Sequence, residues 1–186
     1  AAEGYVVLVA DMYGTGLRPA NAEEAGQAAG AVYADREGMR ARINAALDTL
    51  KAQPGVDTTR LGAFGFCFGG STVLELARSG TALGGVVSLH GNLDTSLRAA
   101  AGEINTPILV LNGADDPLVG AESIAGFEAE LRDAGADWQF VNFGGAVHCF
   151  AEADADWPPA CLYHAPSARR AYRMMHAFFD EAFEAR

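Results

Sequence analysis

Short, unbroken apolar runs alternate with longer helical patterns along this chain, and this alternation constrains the fold more than any other feature. Continuous apolar runs are typical of strands that are buried on both faces of a parallel sheet. We therefore predict an α/β fold, with a doubly wound and mostly parallel sheet flanked by helices. The five predicted strands are residues 5–10, 61–66, 85–90, 107–112 and 138–143.

Helical patterns fill the intervals between the predicted strands. An apolar stripe that includes Met39, Ile43 and Leu47 recurs at helical spacing, and a proline and a glycine follow it. The predicted helices are residues 35–51, 71–78, 121–133 and 166–183. With no internal repeat and no linker in 186 residues, we expect a single domain over residues 1–186.

The net charge and the cysteine content limit the classes of binding partner and the cellular compartment that we expect. The formal net charge of −11 disfavours binding to nucleic acid or to an anionic membrane surface. No apolar run approaches the length of a membrane span. The three cysteines have no disulfide-framework or zinc-site spacing, so we expect reduced thiols, a cytoplasmic location and no structural zinc site.

The strongest local motif is Gly65-Phe66-Cys67-Phe68-Gly69, which follows a predicted strand and opens a helix. It has the form of a nucleophile turn, in which glycines let strand and helix approach each other closely. The helix N-terminus favours a thiolate at Cys67, and the Phe68 N–H would stabilise an oxyanion. The alternative is that Cys67 is a small apolar residue packed between two phenylalanines, and the motif alone favours the nucleophile over this alternative.

Two later strand ends supply the other groups that such a nucleophile needs. Asp115 and Asp116 follow the fourth predicted strand, and spacing alone does not separate them. His148 follows the fifth strand in a glycine-containing loop. The chain order of nucleophile, acid and base is that of hydrolases with this fold, so the three positions together predict an active site. The alternatives to a pocket role are a core position for the aromatic residues and a local hydrogen bond for His90. The candidate pocket residues are Tyr13, Phe66, His90, Phe150 and Trp157.

Five segments resemble the dienelactone hydrolase family of the α/β-hydrolase superfamily. The resemblance implies that Cys67 is the nucleophile, His148 the base and Asp116, rather than Asp115, its partner. It also implies hydrolysis of small carboxylic esters or lactones without a cofactor or a metal. The segments are residues 4–14, 65–70, 112–119, 144–150 and 174–183.

In the family, an N-terminal portion normally precedes the first of these segments, and this sequence shows no counterpart of it. We therefore expect an N-terminally truncated α/β-hydrolase fold. In the family, that portion carries early strands, a helix, and a loop after the third strand. The loop gives the second oxyanion donor and a glutamate that interacts with the cysteine. The absence of this portion would expose apolar residues of the strands at 5–10 and 61–66. We therefore expect a homodimer that covers the first strand or the helix at 35–51.

The family's dienelactone hydrolases proper hold the substrate carboxylate with arginines, which the matching neighbourhoods of this chain lack. Glu152, four residues after His148, would repel an anion. The partner that we expect is a small-molecule ester or lactone, and these departures disfavour a dienelactone. The alternative is a non-catalytic or weakly active domain that acts through binding or assembly, and turnover of an activated ester separates the two.

Overall fold

The computed structural model describes residues 4–184, and these fall into two compact units. The first unit ends at Thr58 and the second begins at Thr59. The prediction of one domain over the whole chain remains a prediction. No helix of residues 4–184 is long and apolar enough to cross a membrane.

The first unit contains two helices, α1 (Ala22–Ala34) and α2 (Arg36–Lys51). Helix α2 was predicted within one residue, and the carboxylate of Asp35 caps it by accepting the Gly38 N–H. Helix α1 was not predicted, although Asn21 caps it in the same way through the Glu24 N–H. Its alanine-rich sequence shows only a weak apolar stripe, with Ala28 and Val32 buried.

The predicted first strand, residues 5–10, is wrong, because this segment takes no strand structure. Its apolar side chains are largely exposed, and Val9 is 91% exposed. An apolar run becomes a strand only when a neighbouring strand accepts and donates its backbone hydrogen bonds. The parallel sheet of the described chain consists of four strands from the second unit.

The second unit is built on this sheet and confirms the α/β fold. Its strands run in the order β1-β2-β3-β4, all parallel, with β1 at one edge. They match the remaining four predicted strands within one residue. Their bounds are β1 Gly62–Phe66, β2 Gly85–Leu89, β3 Ile108–Gly113 and β4 Trp138–Phe143.

Three helices cover the two faces of the sheet: α3 (Phe68–Arg78), α4 (Ala121–Ala134) and α5 (Ala165–Glu184). Because side chains alternate along a strand, Val87 and Leu89 lie on one face of β2 and Ser88 lies on the other. The first face packs in an apolar core with Met175 and Phe179 of α5. Ser88 faces Gly70 of α3, so the sheet is doubly wound.

A short antiparallel hairpin, β5 (Asp156–Trp157) and β6 (Cys161–Leu162), lies between β4 and α5 and was not predicted. Each strand is only two residues long, which leaves no periodic pattern to detect. The hairpin bears on the site because Cys161 forms an isolated parallel bridge with His148.

Candidate active site

Cys67 occupies the sharp turn between β1 and α3, as the sequence predicted. Its backbone has φ 48° and ψ −114°, a conformation that costs a non-glycine residue about 1–3 kcal/mol. A side chain at Gly65 would collide with the backbone of Gly69, which explains why strand and helix can meet here only through glycine. The turn leaves the Cys67 thiol exposed at the N-terminus of α3.

His148 lies in the loop after β4 and reaches the thiol. Its Nε2 atom is 3.1 Å from the Sγ atom of Cys67. The His148 carbonyl accepts a hydrogen bond of 3.1 Å from the Leu162 N–H, so the hairpin supports the loop from the other side. The imidazole is thereby fixed from the backbone as well as through its ring.

Asp116, rather than Asp115, is the carboxylate that contacts the histidine. Its Oδ2 atom lies 2.8 Å from His148 Nδ1, and its Oδ1 atom accepts a 2.8 Å bond from the Leu118 N–H. Asp116 is 5% exposed, whereas Asp115 is exposed. A carboxylate can only accept here, so the proton of the shared bond is carried by Nδ1 of the imidazole.

The electrostatics of this chain favour a charged imidazolium. Burial opposes protonation of His148, but its hydrogen bonds to Asp116 and Cys67 outweigh burial and raise its pKa to about 10. A proton held on Nε2 faces the sulfur of Cys67. The arrangement can therefore stabilise a thiolate by an adjacent imidazolium, which is how cysteine nucleophiles are activated.

Phe68 is the first residue of α3. The first N–H groups of a helix have no intrahelical acceptor and carry the positive end of the helix dipole. They lie at the end of the helix that bears the Cys67 thiol, where a negatively charged oxygen would develop during attack on a carbonyl. The oxyanion role of Phe68 remains a prediction.

His90, which was predicted to line the pocket, contacts two of the three site residues, Cys67 and His148. It is fully buried at the end of β2, and its ring centroid lies 5.0 Å from that of His148. The Nδ1 atom accepts a 3.3 Å bond from the Cys67 N–H, and Nε2 lies 3.6 Å from the Oε1 atom of Glu152. Burial and then the charge of His148 lower the pKa of His90 to about 3.

Backbone strain is concentrated around these groups. Among the non-glycine residues of the described chain, φ is positive at Cys67, His90 and Cys149, which directly follows His148. Such conformations persist only where the surrounding structure enforces them, and they cluster at functional sites.

The other predicted pocket residues differ in burial and in their contacts. Phe66 and Phe150 both contact the His90 ring, but Phe150 is fully buried in the core. Trp157 is 67% exposed on β5. Tyr13 lies in the first unit, where its hydroxyl donates to the Ala25 carbonyl. Their roles in substrate binding remain predictions.

Two features of the site were missed from the sequence. Cys149 and Cys161 form a disulfide, so the expectation of reduced thiols is wrong for these two residues. Their separation of 12 residues matches no framework pattern, and only the fold brings them together. The cytoplasmic location thus loses its main support, because disulfides persist in oxidising compartments, and it remains a prediction. The second feature is the proximity of Glu152 to His90.

Comparisons with known proteins find relatives of this chain in both sequence and structure. The model of a family described as the dienelactone hydrolase family matches residues 1–183. Two solved structures superpose on 94% of this chain and 74% of their own, both with a TM-score of 0.86. One is m3DLH, at 42% identity, and the other is a dienelactone hydrolase-like promiscuous phosphotriesterase from metagenomic libraries, at 39%.

Among curated proteins, a putative carboxymethylenebutenolidase of Salmonella typhimurium is 33% identical over 135 residues. The match covers 68% of this chain and 48% of the relative. The chain thus spans about half the length of this relative.

Proposed function

Because this chain belongs to the dienelactone hydrolase family, we propose that it hydrolyses small carboxylic esters or lactones with Cys67 as nucleophile, His148 as acid and base, and Asp116 as its orienting carboxylate. The observation that carries the proposal is the continuous chain of contacts from Asp116 through His148 to the exposed thiol, at 2.8 and 3.1 Å. Membership of the family indicates hydrolase activity.

The geometry supports a two-step acyl transfer. The Cys67 thiolate attacks the ester carbonyl, and the N–H groups at the start of α3 stabilise the resulting oxyanion. When the tetrahedral intermediate collapses, the imidazolium of His148 gives its Nε2 proton to the leaving alcohol, and a thioester remains on Cys67. Neutral His148 then takes a proton from water, which attacks the thioester and releases the acid and the thiolate.

The carboxylate of Glu152, which lies beside His90, favours a neutral acyl substrate. Glu152 follows His148 by four residues, its side chain is 40% exposed, and its charge acts on His148. A carboxylate on the substrate would meet this charge at short range. We therefore expect neutral esters and lactones to be preferred over esters that carry their own carboxylate.

Hydrolysis of neutral phosphotriesters is a second candidate activity. It is favoured by the 39% identity to the promiscuous phosphotriesterase across 94% of this chain. The same thiolate and the same imidazolium would serve, with phosphorus in place of the carbonyl carbon as the atom attacked. Paraoxon is a suitable phosphotriester probe. If this second activity uses the same site, turnover of paraoxon and turnover of a carboxylic ester must both depend on Cys67.

The decisive experiment is turnover of 4-nitrophenyl acetate and of γ-butyrolactone by the wild type and by Cys67→Ala. We expect turnover by the wild type and its loss in the variant. The control is Ser79→Ala, at the C-cap of α3. A wild type that binds but does not turn over any of these substrates would support the alternative, a non-catalytic domain.

A further inference from the structure

The buried imidazole of His90 has no role in the two-step reaction, yet it contacts the backbone N–H of Cys67 and the ring of His148. We infer that His90 is a positioning residue, which holds Cys67 and His148 in their reacting geometry through a backbone hydrogen bond and a ring contact. The inference deepens the proposed function and rests on it.

The first contact is the hydrogen bond to the nucleophile's backbone. The Cys67 N–H is shared between the Leu89 carbonyl at 3.0 Å and His90 Nδ1 at 3.3 Å. Both acceptors lie at the end of β2, and both act on a residue whose φ of 48° is unfavourable. The bonds offset part of that strain, and they direct the Cys67 N–H into the protein so that Sγ faces His148.

The second contact is between the two imidazole rings. His90 and His148 lie edge to face, with an interplanar angle of 67°. On another side of the His90 ring, its centroid lies 5.5 Å from that of Phe150. Phe150 is fully buried, so its ring has no room to move. The ring of His148 is therefore limited by a rigid neighbour in addition to its bond to Asp116.

The protonation of His90 follows from these contacts. Because Nδ1 accepts a hydrogen bond, the single proton of a neutral imidazole is on Nε2. Within the described residues, buried Nε2 has no partner at hydrogen-bond distance, and the Glu152 carboxylate at 3.6 Å favours the proton there. The charged groups that act on His90 are Asp116, His148 and Glu152, and with His90 neutral the positive charge stays on His148.

A pair of amide substitutions isolates the Nδ1 contact. In His90→Asn, the amide oxygen occupies roughly the place of Nδ1 and can accept the Cys67 N–H. Asparagine also tolerates the positive φ of 42° at this position. In His90→Gln, the amide extends to roughly the place of Nε2 and leaves the Nδ1 position to a methylene. His176→Asn is the matched control, because His176 lies on α5, and Asp116, His148 and Cys67 all lie outside that helix.

Three measurements are needed for each variant: the rate of Cys67 alkylation by iodoacetamide, kcat and KM for 4-nitrophenyl acetate, and Tm. We expect His90→Gln to lower kcat and the alkylation rate about tenfold, with KM nearly unchanged. His90→Asn should stay within about threefold of the wild type, the remainder reflecting the lost ring contact. His176→Asn should match the wild type.

Equal values for His90→Asn and His90→Gln, whether at the wild-type level or equally low, would overturn the inference. So would rate losses that appear only at temperatures where Tm shows partial unfolding. Alkylation needs no ester, so it separates the two claims. A wild type without turnover refutes the proposed function, while the ordering of alkylation rates still decides the role of His90.

Discussion

The Nε2 atom of His148 lies 3.1 Å from the Sγ atom of Cys67, although 81 residues separate the two in the chain. The contact arises because parallel strands end at one edge of a sheet, where the nucleophile turn after β1 and the loop after β4 meet. It pairs a thiol with an imidazole whose pKa is raised to about 10. Most of the expected behaviour of the site follows from that pairing.

Cys67 should be the thiol that iodoacetamide labels at neutral pH in the absence of reductant. The imidazolium of His148 and the N-terminus of α3 both favour its thiolate, whereas Cys149 and Cys161 are joined to each other. His148→Asn should slow labelling at pH 7 by roughly tenfold or more. His164→Asn, at a histidine that bonds Ser167, is the control.

Peptide mapping by mass spectrometry checks this prediction. Labelling of Cys149 or Cys161 ahead of Cys67 would contradict the assignment of the nucleophile. An unchanged rate in His148→Asn would instead contradict the thiolate–imidazolium pair.

The two adjacent aspartates should differ sharply in activity. Asp116→Asn replaces the acceptor of His148 Nδ1 by an amide and frees the imidazole to take the wrong tautomer, so kcat should fall about 10²- to 10⁴-fold. Asp115→Asn is the matched control, since Asp115 is exposed, and it should stay within about threefold. Steady-state kinetics with 4-nitrophenyl acetate measure both. The reverse ranking would show that the wrong carboxylate was chosen.

The order and spacing of these groups could be predicted from the sequence because each follows a strand with a clear apolar pattern. The rule that ligand-binding groups gather at the carboxyl ends of parallel strands was enough to locate Cys67, His148 and the pair of aspartates. Spacing alone left Asp115 and Asp116 open. Burial of one and exposure of the other now distinguish them.

Other features depend on tertiary placement and left no local signal. The bond from Cys67 to His90 joins residues 23 apart across two strands, and the Cys149–Cys161 link requires the hairpin to fold back. Residues 5–10 show the opposite error, because their composition is that of a strand but strand formation needs a neighbour. The homodimer expected from their exposed side chains remains a prediction, which light scattering would test.

Glu152 should set the charge preference of the enzyme. Its carboxylate lies 3.6 Å from His90 Nε2 and acts on His148, so a negatively charged acyl group entering the site is repelled. Glu152→Gln should raise kcat/KM for the mono-4-nitrophenyl ester of succinate about threefold to tenfold relative to 4-nitrophenyl acetate. Glu128→Gln, on α4, is the control. An unchanged ratio, or equal gains for both esters, would exclude a selective role for this charge.

Acid should destabilise the protein in part through His90. The unfolded chain binds a proton at this residue below its ordinary pKa of 6.5, but the folded chain does so only near 3. Stability from neutral His90 is therefore complete above pH 6.5 and is lost as the pH falls toward 3. The loss is up to about 1.4 kcal/mol per pH unit for one proton. His148 does not add to it, because a group whose folded pKa is about 10 is protonated in both states below pH 6.5.

Urea unfolding of the wild type and of His90→Asn at pH 7, 5.5 and 4.5 measures this dependence. The variant should lose less free energy of unfolding than the wild type between pH 7 and pH 4.5, whatever its stability at pH 7. Parallel curves for the two proteins would mean that His90 is protonated in the folded state.

The Cys149–Cys161 disulfide should stabilise both the second unit and the position of His148. It closes a loop across a separation of 12 residues. It joins Cys149, which directly follows His148, to Cys161, which forms a backbone bridge with His148. In the chain-entropy account, closing such a loop contributes about 3 kcal/mol. The double variant Cys149→Ala/Cys161→Ala should therefore unfold at lower temperature, and its kcat should fall at 25 °C while the protein is still folded.

Reductant provides the internal control for this last prediction. Tris(2-carboxyethyl)phosphine should lower the Tm of the wild type toward that of the double variant and leave the Tm of the variant unchanged. After denaturation without reductant, alkylation should modify one thiol in the wild type and all three once reductant is added. Three modified thiols without reductant would restore the expectation of reduced cysteines, and the support of the His148 loop would then rest on its backbone bond to Leu162.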